Sequence, residues 1–179
     1  MITLFCAFFL LMLLFAIVGA LRGPAKEVLV SFSVLVGIAF IVLVEDLLPM
    51  TVNLFQDGSM TQYWFRTLTI LILVIFGYVT PKISTLSKTT GRPLQISDYI
   101  LGFFLGAING YLVVGTLWYY MDAAGYPFAP YIMAPVETAD GGGQYALQLI
   151  ALLPPAILYG YRVLAAVVIA FVFVIIVML

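Results

Sequence analysis

The stretch ITLFCAFFLLMLLFAIVGAL, residues 2–21, runs for twenty residues without a charge, and no water-exposed fold tolerates that easily. Four further apolar runs follow, at about 25–44, 63–80, 98–121 and 156–179, each with at most two charged residues. The hydrocarbon core of a bilayer takes about 20 such residues to cross as a helix. Lipid offers nothing to backbone N–H and C=O groups, so each run satisfies them internally as a helix. The alternating pattern of a membrane barrel is absent. The expected class is therefore an all-α integral membrane protein with five transmembrane helices. "VGA" near the end of the first run resembles a signal-cleavage site, but the run has no basic region before it and is too long for a signal core. It is read as a retained span.

Composition narrows the chemistry. The 179 residues are 65% hydrophobic and 8% charged, with no histidine. Without imidazole, His-ligated haem, histidine zinc sites and Ser-His or Cys-His catalysis are excluded. No cofactor or metal is expected, and the chain reads as a non-enzyme. Asp57, Glu137 and Asp140 read as solvated loop acids rather than an acid–base pair. The net charge of −1, without a basic stripe, gives no pull toward nucleic acid. Cys6 is a lone thiol inside the first run and reads as a small buried hydrophobe.

The connections alternate in charge. Arg22 and Lys26 separate the first two spans, and Lys82, Lys88 and Arg92 separate the third and fourth, while the other connections hold Glu45, Asp46, Asp57, Asp122, Glu137 and Asp140. The positive-inside rule then puts the N-terminus outside and the C-terminus in the cytoplasm. Tyr63 and Trp64, Trp118 to Tyr120, and Tyr159 and Tyr161 all fall at the expected outer face, as an interfacial aromatic belt would. Arg66 and Arg162 lie near span ends and are expected to snorkel outward.

Local signals set the connections. Gly23 stands where one helix stops and Pro24 where the next begins, with Glu27 in its first turn. This pattern predicts a tight antiparallel hairpin of the first two spans. Ser97 or Asp98 is the expected N-cap of the fourth span. Asp98, Gly102, Gly106 and Gly110 recur every four residues and form one helix face. Three glycines leave a groove without side chains, and in lipid such grooves let helix backbones approach closely. The partner is either in the same chain, with Ser33 and Gly37 or Ala166 and Ala170 as small-residue counterparts, or belongs to another copy or protein. Asn109, midway along the span, reads as a hydrogen-bonded packing clamp. Asp98 reads as a cap or as a partner of Arg22 or Lys26.

Two segments together resemble the colicin V production protein (CvpA) family. RGPAKEVL (22–29) is similar to the family's Arg-Gly, spacer, basic-Glu segment, and DYILGFFLGAING (98–110) to its Asp-Arg, Leu-Gly, glycine-repeat segment. The matched positions are Arg22, Gly23, Lys26, Glu27, Asp98, Leu101, Gly102, Gly106 and Gly110, over roughly residues 1–121. The resemblance implies a multi-pass protein of the bacterial plasma (inner) membrane, linked to peptide-toxin export or envelope maintenance. Tyr99 and Asn109 stand where the family commonly has arginines, so a glycine scaffold persists without its charges, which favours packing over transport.

Residues 1–121 then form a four-helix CvpA-like membrane domain, and 122–179 an outer-face loop, a short interfacial helix and the fifth span. The expected role is an accessory or scaffolding subunit. Its partners are membrane lipids and other integral membrane proteins, or a second copy through the fourth helix. The alternative is a small transporter or export factor, drawing on Asn109, Pro81 and the Pro154-Pro155 break.

Overall fold

A computed structural model describes residues 3–47, 55–79, 95–136 and 142–178. Lys82, Lys88, Arg92, Pro81, Glu137 and Asp140 lie outside the described residues. All elements among the described residues are helices: α1 (Leu4–Arg22), α2 (Pro24–Leu47), α3 (Met60–Val79), α4 (Ile96–Ala123), α5 (Gly142–Ile150), α6 (Pro154–Ile157) and α7 (Tyr161–Met178). Four of them, α1 to α4, are long and apolar enough to cross a membrane.

The helix ends follow from their residues. Thr3 Oγ1 accepts from the Cys6 N–H and opens α1. Gly23, at φ 83°, closes it in a conformation that a side chain would resist, and Pro24 starts α2 immediately. Gln95, two residues before Ser97 and three before Asp98, is the N-cap of α4. Its N–H donates to Asp98 Oδ2 at 3.0 Å, so Asp98 closes a capping box from the third helical position.

Two expectations are corrected. The apolar run 156–179 is not one helix: Pro154 and Pro155 open the four-residue α6, Gly160 at φ 60° ends the turn after it, and α7 starts at Tyr161. At 1.5 Å per residue the 18 residues of α7 reach about 27 Å, short of an ordinary hydrocarbon core of about 30 Å. The first two spans share a one-residue turn but then diverge. α1 lies mainly against α4, whereas α2 lies against α3, α7 and α4.

Thus α4 is the central post. Val34, Ile38, Ile41, Ile70, Val113 and Val163 form the main core, drawn from α2, α3, α4 and α7. Gly77 brings α3 against α2, where an added Cβ would sit 2.7 Å from Ser33 Oγ. At the far end from Arg22, a second cluster of Phe8, Trp118, Tyr126, Ala146, Ile150 and Leu153 lets 126–136 and α5 cap α1 and α4. Tyr63, Trp118 and Tyr120 are buried in these clusters rather than standing in a lipid-facing belt, while Trp64, Tyr159 and Tyr161 are exposed.

Trp118 Nε1 donates to Tyr126 Oη at 3.1 Å in the second cluster. Burial, opposed by that bond, pushes the Tyr126 hydroxyl up to about 12 from an ordinary value of 10.0. The fold therefore favours the neutral phenol. Its contribution is complete below the unfolded value and is lost as pH rises through the folded one, between about pH 10 and 12. Tyr126→Phe should lower the melting temperature at pH 7 by removing an acceptor from a buried N–H. It should also flatten the further fall between about pH 10 and 12, relative to wild type. Parallel melting curves for the two proteins across that window would contradict the assignment.

Candidate functional site

The glycine face of α4 is covered by α1 of the same chain. A Cβ added at Gly102 would stand 2.4 Å from the Gly19 carbonyl oxygen, and one at Gly106 2.4 Å from the Phe15 carbonyl oxygen. At Gly110 it would meet Met12 Cα at 2.8 Å, and at Gly19 the Gly102 carbonyl oxygen at 2.3 Å. Backbone lies against backbone along two turns, the arrangement that small residues permit in lipid. The counterparts named from sequence lie elsewhere. Gly37 meets Ile70 and Leu73 of α3, and the helix bearing Ala166 and Ala170 packs on α2.

Beside the seam is a charged junction. Arg22 Nη1 donates to Glu27 Oε1 at 2.6 Å, and Asn109 Nδ2 donates to Glu27 Oε2 at 2.8 Å and to the Glu27 carbonyl oxygen at 2.9 Å. Ser31 Oγ donates to Asn109 Oδ1 at 2.6 Å. Arg22 also reaches the carbonyl oxygen of Tyr78 at the end of α3, with its guanidinium 4.2 Å from the centre of the Tyr78 ring. Glu27 and Asn109 are both 0% exposed, and four helices meet on this one group of side chains. A buried carboxylate is tolerable only when paired and hydrogen-bonded, and here both its oxygens are engaged.

Of the residues singled out from sequence, Arg22, Glu27 and Asn109 come together, with Gly23 supplying the turn that lets Arg22 reach Glu27 five positions on. Asp98 serves the α4 cap, while Arg22 takes Glu27. Lys26 is half-buried in the first turn of α2, and Leu101 is 53% exposed on the outer face of α4. Gly19, Ser31 and Tyr78 escaped the sequence reading. Ser31 lies one helical turn after Glu27 and was detectable by that spacing; Tyr78 enters through its carbonyl and ring, which no sequence signal marks.

A second polar group was also missed. Arg66 does not snorkel: Nε and Nη2 each donate at 2.7 Å to the two oxygens of Glu45, and its guanidinium lies 5.4 Å from the centre of the Tyr120 ring. Gln62 Nε2 lies 3.4 Å from both Glu45 Oε1 and Asp57 Oδ1. This pairing joins α2 to α3 at the end of the bundle remote from Arg22.

Apolar helices of membrane-crossing length, a side-chain-free seam and ion pairs knitting neighbouring helices are the marks of a polytopic helical membrane protein. Within that class, the chain belongs to the colicin V production protein family, whose model matches residues 6–135 and so covers both the seam and the junction. That is not a family of known enzymes. Neither the curated proteins nor the solved structures contain a match.

Proposed function

We propose that this protein is a non-catalytic accessory or scaffolding subunit of the bacterial inner membrane. In this reading it crosses five times, with α7 as a short fifth span, the N-terminus outside and the C-terminus in the cytoplasm. The carrying observation is that charged groups between the helices are paired with one another, Arg22 with Glu27 and Arg66 with Glu45, as joints between helices. A transport pathway places ionisable groups at membrane depth, whereas both pairs here stand near helix ends. Because α1 occupies the glycine face, contact with other subunits falls to the outward faces of α1 and α4, where Leu10, Leu14, Ile17, Ile100, Phe104 and Ile108 stand exposed.

Extraction into native-lipid nanodiscs tests this reading. A second protein in fixed ratio to the 19.7 kDa chain is expected. Recovery as a lone chain would overturn it. Proteoliposomes that moved a peptide or an ion faster than protein-free vesicles would instead support the export-factor reading.

A further inference from the structure

The Glu45 end of the bundle holds a cavity of about 270 Å³ between α2, α3, α4 and α6. A wider vestibule of about 560 Å³ adjoins it, and the two share Glu45, Asp57, Gln62, Arg66 and Tyr159 in their walls. The inner part is floored by Ile38, Ile41, Val42 and Leu158, so it is apolar below and polar at the mouth. Volumes of this order, with an apolar lining and a few convergent polar groups, are those of small-molecule sites.

The walls are already organised. Gln62 is 3% exposed; its side-chain oxygen accepts the Gly58 N–H at 3.1 Å while its Nε2 faces Glu45 and Asp57. Gly58, at φ 75°, seats that turn against the end of α4, 3.3 Å from the Ala123 carbonyl oxygen as measured from an added Cβ. Asp57 is thereby held over the cavity rather than left on a loose loop.

Charge decides the sign of the ligand. Both oxygens of Glu45 are taken by Arg66, so this pair is neutral toward a visitor. What remains is the Asp57 carboxylate in both parts and Asp46 in the vestibule, flanked by the Tyr159 ring. An anion would face two unneutralised carboxylates. A bare metal ion would lack ligands, since among the described residues no three acidic, cysteine or histidine side chains cluster closely enough to hold one. An ammonium group gains from the carboxylates and from an aromatic face.

We propose that this cavity binds a small organic cation, a primary ammonium on a short apolar stem. The ammonium sits at Asp57 and Asp46 beside the Tyr159 ring, and the stem lies on Ile38, Ile41 and Leu158. This inference is independent of the scaffolding role.

Calorimetric titration of the full chain in nanodiscs, with empty nanodiscs subtracted, tests it with three molecules of like size: butylammonium, butyrate and butanol. Butylammonium should saturate at one per chain and weaken as salt is raised, and the other two should not saturate. Asp57→Asn should weaken the amine by about tenfold, as expected on losing one nearby charge. The exposed Asp46→Asn, which cannot disturb packing, should weaken it less. Absence of saturable amine binding, equal binding of butyrate or butanol, or wild-type affinity in both variants would each overturn the proposal.

Discussion

Gly106→Leu should separate α1 from α4 while leaving membrane insertion untouched. A single added carbon already falls 2.4 Å from the Phe15 carbonyl oxygen and 2.9 Å from Gly19 Cα, so the clash is with backbone and no rotamer relieves it. Ordinary overpacking of a core costs about 1–3 kcal/mol, and a leucine here should exceed that range because a whole helix must move. Gly106→Ala should give a smaller loss of the same kind. Fractionation would show the Leu variant still in the membrane, and its melting temperature in detergent would fall well below that of the Ala variant. A Leu variant that melts like wild type would mean that α1 does not lie on this face.

The next largest effect is expected at Glu27. Truncation to Ala strips Arg22 of its partner and Asn109 of one acceptor, in a place where Glu27 itself is 0% exposed. Breaking a buried pair from one side costs about 3–5 kcal/mol, most of it the uncompensated charge left behind. The sharper expectation concerns the double variant. Glu27→Leu combined with Arg22→Met should be more stable than Glu27→Ala alone, because it removes both charges together. Melting curves for the single and double variants decide the matter. A double variant as unstable as the single would mean that the loss comes from packing, not from a stranded charge.

Much of the fold is legible in the residues, and the remainder fails for identifiable reasons. Apolar run length alone locates the first four helices to within about three residues, because lipid leaves each run no other backbone arrangement. The fifth run misleads because hydropathy does not register backbone geometry: Gly160 breaks an otherwise continuous apolar stretch through its positive φ. Four-residue glycine spacing is readable as a face without side chains, but not as an address. The surface that meets it holds Ala16, Gly19 and Ala20, small residues at helical spacing beside Met12 and Phe15, in an apolar run that gives them no separate mark. The ion pairs are harder still. Glu45 and Arg66 are 21 residues apart in separate helices, and only their relative rotation reveals that the arginine turns inward.

The partnership of α1 with α4 also dictates an order of assembly. Gly19 of α1 and Gly106 of α4, which meet in this seam, are more than 80 residues apart in the chain, with α2 and α3 made between them. During synthesis α1 enters the bilayer and waits beside lipid until α4 emerges. Contacts that span so much chain form late, because the ends of the intervening segment must first be brought together. The seam thus closes only once α2 and α3 are in place, α7 with Val163 docks later still, and until α4 arrives the arginine at the end of α1 has Glu27 and the Tyr78 carbonyl oxygen to hold it.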